Sequence, residues 1–433
     1  MRCVIFPMNG AGHLNACSGF GSQLAKLGHE VTICLAKNLI QLMDGDHGLI
    51  VELYDDMRDR TEDPLLRWGE FMCNVSDGFR DSPLDQLESL IVTFEESFVE
   101  ETKEYDDRIG HMIRKLNPDM IFVDFYTAVP SVIKSGIPWA LIYSCNPLWV
   151  YEDLPEAPPA FSGLSKSDPE ESKIIFRNKR NALMKELKEK FNAWLSSKEI
   201  DVSKLTGLQN GRMSSYLNIY AYPEDLDYRE IGPVPSGWHR LDHMLRPTDH
   251  KSPLGIDENF LQKKHQTDRI VYFALGSMGA SDVGLMKRLV NILAKSKHRF
   301  IVSKGPFHDQ FELPSNMIGA KYLNQLRILP SVDLAINHGG NNSFLETLYH
   351  GKPMILMPLF DDQHDNGRRV EEKCIGRCLY PYKVSEEELL NAVDTLLNDK
   401  SLQERVKKIG EKMRNTKSYE ELDYKLNLIF KQD

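Results

Sequence analysis

The chain has 433 residues, too many for one ordinary core, and a prior of about 100 to 200 residues per domain points to two or three domains. With 41% hydrophobic, 27% charged and 9% aromatic residues, the composition is that of a soluble globular protein and excludes a disordered or fibrous one. Subtracting 63 Asp and Glu from 53 Lys and Arg leaves a formal charge of -10, a field that repels nucleic acid and anionic lipid. No apolar run approaches the roughly 18 to 20 residues of a membrane helix, so no span is expected. The short apolar start is briefer than the core of a secretion signal, and seven scattered cysteines read as reduced thiols, so a cytoplasmic location is expected.

In chain order, residues 3–8 read as a first strand, 15–27 as a helix, and 30–36 and 49–54 as the next two strands. A long helical region at 84–116 leads to strands at 120–124, 138–143 and 216–222. This alternation is that of βαβ units and a mainly parallel sheet. Residues 155–197 begin with prolines and continue as a charged helical stretch, an insertion lying on the domain, with a partner-binding helix as the alternative. Between 232 and 267 prolines and glycines thicken and periodicity is lost, as in a linker. Residues 1–231 and 268–433 then form two domains. The second repeats the pattern, with strands at 269–275, 299–303, 333–337 and 353–357, helices at 282–295 and 344–349, and a capping box from Ser385 to Glu388.

The turn after the first strand, Asn9-Gly10-Ala11-Gly12-His13-Leu14-Asn15, lacks the third glycine of a dinucleotide fingerprint, and strand 2 ends in Ala36-Lys37 without the ribose-binding acid. A nicotinamide enzyme is disfavoured. His13 instead stands at the carboxyl end of a strand with glycines around it, where it could act as a base, cap the helix or face solvent. Asp124 closes the fourth strand. If the strand order is 3-2-1-4-5, the two open onto one crevice, as a base with its orienting carboxylate. Otherwise Asp124 is an unrelated surface acid.

The richest stretch is 333–366. His338-Gly339-Gly340-Asn341-Asn342-Ser343 follows a strand and opens a helix, a phosphate site by construction, with Glu346 on the same helix face placed for ribose hydroxyls. The rival reading of Ser343 and Glu346 is a plain capping box. Asp361, Asp362, Gln363, His364 and Asp365 suit hydroxyl recognition, with a metal cluster as the competing idea. Asp225-Leu226-Asp227 is short enough to be chance, and Cys374 with Cys378 lacks a second pair for zinc.

From Tyr322 to Asn366 the chain resembles the signature of family 1 UDP-glycosyltransferases. That signature runs approximately (W/F)-x-P-Q, H-x-G-x-N-S-x-x-E, then P-x-x-x-D-Q-x-x-N. Here it reads Tyr322-Leu323-Asn324-Gln325, His338 to Glu346, and Pro358 to Asn366. The turn with His13, Asp124 and the turn Leu275-Gly276-Ser277-Met278 extend the likeness to both domains, most closely to soluble bacterial macrolide-type and some mite members. The resemblance implies the GT-B fold, an α/β architecture of two Rossmann-like doubly wound parallel-sheet domains facing a cleft. It implies that Tyr322 stacks on uracil and Gln325 binds the nucleoside. His338, Gly340, Asn342, Ser343 and Ser277 hold the diphosphate, Glu346 the ribose, and Asp362 with Gln363 the sugar hydroxyls. Tyr322 replaces a common Trp, and Asn341 stands where plant members have a sugar-contacting Trp.

The expectation is an inverting, metal-independent transferase that needs no cofactor. UDP-glucose is its donor, and a hydroxyl of a small lipophilic or aromatic molecule its acceptor. His13 is the base and Asp124 its support. The partners are the UDP-sugar and a small acceptor, without nucleic acid or membrane span, and the chain is a monomer. The rivals are a catalytically silent sugar-nucleotide-binding subunit and a UDP-sugar epimerase of the same fold. The acceptor pocket is assigned to 59–87 and 144–194, which carry no readable code.

Overall fold

The computed structural model describes residues 1–43, 47–54, 64–205, 213–248, 253–262 and 269–430. Residues 59–63 of the expected acceptor pocket, 249–252 and 263–267 of the expected linker, and residue 268 and 431–433 of the expected second domain lie outside them.

The first sheet is built from β1 (Arg2–Pro7), β2 (Glu30–Leu35), β3 (Ile50–Leu53), β4 (Met120–Asp124), β5 (Trp139–Tyr143), β6 (Leu217–Ala221) and β7 (Trp238–Leu241), in the order β3-β2-β1-β4-β5-β6-β7. The second holds β8 (Ile270–Ala274), β9 (Arg299–Ser303), β10 (Met317–Ala320), β11 (Leu334–Asn337), β12 (Met354–Leu356) and β13 (Gly376–Cys378), ordered β10-β9-β8-β11-β12-β13. Every pairing found is parallel, from β1 against β2 to β12 against β13. A sheet covered by helices on both faces needs continuous apolar strands, and β1 supplies one: Cys3, Val4, Ile5 and Phe6 are all buried. In each sheet the chain reverses direction beside a central strand, β1 against β4 and β8 against β11, which opens a crevice at their carboxyl ends.

Three elements depart from the sequence reading in ways that bear on the site. The first helix spans Ala11–Lys26 with Gly10 as its N-cap, so His13 lies in its opening turn. The helical region at 84–116 resolves into Pro83–Gln86, a π turn at Leu87–Ile91 and the helix Val92–Leu116, which ends at a left-handed Asn117. β7 falls inside the stretch expected to be linker, and extends the first sheet to Leu241.

The last helix, Ser418–Phe430, returns to the first sheet's side. Tyr419 donates to the His243 carbonyl at 2.8 Å, His239 Nε2 lies 2.8 Å from the Ser418 carbonyl, and His29 Nε2 lies 2.9 Å from Asp423. Among the described residues no helix is long and apolar enough to cross a membrane.

Candidate functional site

β1 and β4 run side by side with Pro7 opposite Asp124, and the helix that follows β1 delivers His13 to the same end. His13 Nδ1 lies 2.8 Å from Asp124 Oδ2. Asp124 has no exposed surface, and the Cys17 thiol lies 3.8 Å from the same oxygen. Ser144, just beyond β5, brings its hydroxyl to 3.3 Å from Nδ1, and the Tyr126 ring meets the imidazole edge-on at 5.1 Å. With Nδ1–H held by a carboxylate, Nε2 carries the free lone pair. Burial alone pulls the imidazole pKa down, but the charge and hydrogen bond of Asp124 outweigh it, and the net shift is upward.

The two domains share a cavity of about 310 Å³ around this pair. Gly12, His13, Tyr126 and Ser144 line one side, while Ser277, His338, Gly340, Asn342, Ser343, Asp362 and Gln363 line the other. Sequence-predicted residues of both domains therefore meet in one space.

On the second-domain side His338 follows β11 directly, and its ring packs between two glycines. A Cβ on Gly276 would lie 2.8 Å from the ring and one on Gly340 2.6 Å from it. Burial lowers its pKa to about 4, so the ring is neutral, and its buried Nδ1 has no hydrogen-bond partner. The helix Asn341–Tyr349 begins with Gly340 as N-cap and without a side-chain cap; the Asn341 amide bonds Asp362, and the opening residues Asn342 and Ser343 line the cavity, where a helix amino terminus suits an anion. Ser343 is thus the third helical residue, and the capping-box alternative fails. Glu346 receives the Gln325 amide at 2.5 Å instead, and the same amide lies 3.4 Å from the Ser343 hydroxyl. Burial raises the Glu346 pKa, against the opposing charge of Arg246. Tyr322 is half-buried, with the Lys321 ammonium 5.2 Å from its ring centre. Tyr322, Gln325 and Glu346 are absent from the cavity wall; Ser343 links the last two to it.

The motif at 361–366 splits between two tasks. Asp361 occupies a backbone conformation, φ 55° and ψ -140°, that favours glycine. Asp362 accepts from the Asn146 amide at 2.9 Å, and the Gln363 side-chain oxygen accepts from Leu359 N at 2.9 Å. Asp362 thereby joins the domains, and so do the residues after Gln363. His364 Nε2 meets Gln86 at 2.9 Å, and Asp365 accepts from the amides of Phe161 and Gly163 at 2.6 and 2.9 Å. Asn366 accepts from Asn146 and Tyr222 at 2.8 and 2.9 Å. The acids therefore point to separate partners, and no group of three or more His, Cys, Asp or Glu suited to a metal gathers among the described residues. Asp225 pairs with Lys412, while Asp227 is buried and accepts from Tyr151 and Tyr220, so they form no shared site.

Asn341 donates to the Ser144 carbonyl at 3.0 Å and Asn342 to the Gly12 carbonyl at 2.8 Å, so both reach the first domain. Sequence reasoning placed Gln86, Ser144 and Asn146 only within the expected pocket segments, without singling them out, and missed Tyr126 and Arg246. The last lies in the stretch read as linker, and none of them belongs to a periodic or spaced pattern.

Residues 248–426 match the family model described as UDP-glucoronosyl and UDP-glucosyl transferase. This part of the chain is similar to the UDP-glycosyltransferases. A putative UDP-glucuronosyltransferase of Caenorhabditis elegans is 31% identical over 37% of this chain and 34% of its own length. Human UDP-glucuronosyltransferase 1A1 is 31% identical over 37% of this chain and 31% of its own length. The match thus spans about a third of these curated relatives. The whole fold is shared more widely. The glycotransferase of kitacinnamycin superposes with a TM-score of 0.69 at 18% identity, covering 98% of both chains. The calicheamicin glycosyltransferase CalG4 gives 0.65 at 16% identity, covering 99% of this chain and 98% of its own. The architecture is that of the GT-B glycosyltransferases.

Proposed function

We propose that the chain transfers a sugar from UDP-glucose to a hydroxyl of a small lipophilic or aromatic acceptor, with inversion and without a metal. One observation carries the reading: the His13–Asp124 pair opens into the same cavity as the helix amino terminus and hydroxyls of the UDP-glycosyltransferase motif. His13 Nε2 takes the acceptor proton as the oxygen attacks the anomeric carbon, and Asp124 stabilises the imidazolium that results. The departing diphosphate gains charge opposite the helix amino terminus at Asn342–Ser343, the hydroxyls of Ser277 and Ser343, and neutral His338. Gln325 and Glu346 serve the nucleoside and ribose, Tyr322 its base, and Asp362 with Gln363 the hexose hydroxyls.

Glucose is favoured over glucuronate, despite the names of the relatives, because no Lys or Arg lines the cavity among the described residues while Asp361 and Asp362 do. The test supplies UDP-glucose or UDP-glucuronate with a phenolic acceptor and follows UDP release and product mass. The expected result is UDP released only with acceptor present, faster from UDP-glucose, and unaffected by EDTA. An altered UDP-sugar without acceptor would make the chain an epimerase, and activity lost to EDTA and restored by magnesium would restore the metal reading.

A further inference from the structure

Directly after β5 three consecutive residues of the first domain, Ser144, Cys145 and Asn146, all bond the second domain. The Asn341 side-chain amide donates to the Ser144 carbonyl at 3.0 Å, the Cys145 thiol donates to the Asp362 carboxylate, and the Asn146 amide donates to Asp362 at 2.9 Å. The turn is held from within as well, because the Asn146 side chain accepts from Leu148 N at 2.8 Å while donating to Asn366 at 2.8 Å. Ser144 also reaches the base. Its hydroxyl lies 3.3 Å from His13 Nδ1, whose hydrogen is already given to Asp124 at 2.8 Å, so the hydroxyl serves as a second, longer acceptor. One residue thus touches the imidazole through its side chain and the second domain through its backbone.

Asn341 senses whether the two domains are together. It opens the helix Asn341–Tyr349, is 5% exposed, and donates its side-chain hydrogens to two first-domain carbonyls, Ser144 at 3.0 Å and Ala221 at 3.5 Å. A buried amide keeps such bonds only while both domains hold their places, and leaving it unpaired is costly. The place of the Ser144 hydroxyl beside the ring is therefore set in part from the second domain.

We propose that Ser144 is a positioning residue through which the second domain aligns His13: Asn341 pins the Ser144 backbone, and the Ser144 hydroxyl steadies the imidazole beside Asp124. The proposal rests on the transferase reading for the task of His13, and one arm of its test needs no turnover. The groups facing the ring are Asp124 of β4, with the Cys17 thiol against it, Tyr126, Glu101 of the helix Val92–Leu116 and Asp362, and Ser144→Ala leaves them all in place. Kinetics with UDP-glucose and an alcohol acceptor, and the His13 titration followed by NMR with His13→Gln as the assignment control, are measured on the full chain. The variants are Ser144→Ala, Ser144→Thr, Asn341→Leu and the double variant Ser144→Ala/Asn341→Leu. Ser144→Ala is expected to lower kcat about tenfold, with the KM for UDP-glucose within about twofold. Its imidazole should titrate about 0.3 lower, the scale of one weak neutral acceptor lost. Ser144→Thr restores the hydroxyl and should return both towards the unaltered values, whereas a packing role alone would spare Ser144→Ala and harm Ser144→Thr. Because Asn341 acts through that hydroxyl, the double variant should fall within about threefold of the slower single one. Unmoved kcat and titration in Ser144→Ala, equal losses in Ser144→Ala and Ser144→Thr, or losses that multiply in the double variant would overturn the proposal. Should Asn341→Leu fail to fold, the two Ser144 variants decide it. A shifted titration in Ser144→Ala beside an unaltered chain that turns nothing over would remove only the transfer reading. Full turnover in Ser144→Ala with an unmoved titration would remove only the positioning role.

Discussion

At His13 one hydrogen bond of 2.8 Å to a carboxylate with no exposed surface fixes the tautomer and leaves the other ring nitrogen for the cavity, as the proposed base requires. Replacing His13 with Ala is expected to lower turnover about 100-fold or more, the usual scale of general base catalysis, with UDP-glucose affinity nearly unchanged, since the proposed donor groups sit in the other domain. Parallel kinetics and calorimetry check this, and near-normal turnover of an alcohol acceptor would exclude the role. A protonated imidazole cannot accept a proton, so kcat/KM should fall as pH drops through the raised His13 pKa, above its ordinary 6.5. In Asp124→Asn the charge that raises that pKa is gone while the burial that lowers it remains. The acid limb of the profile should therefore move to lower pH even as the rate falls, and an unmoved limb would show that another group governs it.

At the scale of elements, the turns after β8 and β11 are shaped by the space the His338 ring needs. Gly340→Ala would place a methyl group 2.6 Å from the ring, and the ring must leave its place beside the helix amino terminus. A rise of about tenfold or more in the KM for UDP-glucose is expected, with thermal stability little changed, and initial-rate kinetics beside a melting curve check it. The strands that carry chemistry were legible because both faces of a parallel sheet are covered: β1, β4, β8 and β11 are apolar runs that stand out from any neighbour. β7, β10 and β13 escaped because Trp238-His239-Arg240-Leu241 carries charge, Met317-Ile318-Gly319-Ala320 is interrupted by glycine, and Gly376-Arg377-Cys378 has both a glycine and a charge. Likewise His13 and Asp124 could be paired from strand order, but Asn146, which binds both Asp362 and Asn366, could not, because it acts across more than 200 residues of sequence separation. The motif's spacing reveals that 361–366 matters, while the partners that tie it to the first domain exist only in three dimensions.

For the whole molecule, burial of titratable groups fixes where in pH the fold is most stable. His239, His243, His338, His350 and His364 all have pKa values lowered to about 4, chiefly by burial. Between about 4 and 6.5 the unfolded chain binds protons at these five sites that the folded chain refuses, so stability rises with pH across that window. Asp361, Asp362 and Asp365 act in the opposite sense. Burial raises them, Asp365 to about 8, so the folded chain keeps protons that the unfolded chain has lost above about 3.8, and stability falls as pH climbs through their range. Glu346 and Asp227 are raised by burial as well, so below 6.5 the five histidines are opposed by five carboxyls. Above 6.5 the histidine contribution is complete, and Asp365 and the raised His13 leave a decline. The thermal midpoint should therefore fall between pH 6.5 and 8. Calorimetric scans at the two values test it: a midpoint that rises between them would mean that other groups dominate. Below pH 6.5 the midpoint of His243→Gln should gain on that of the unaltered chain as pH drops, because one of the five refused protons no longer exists.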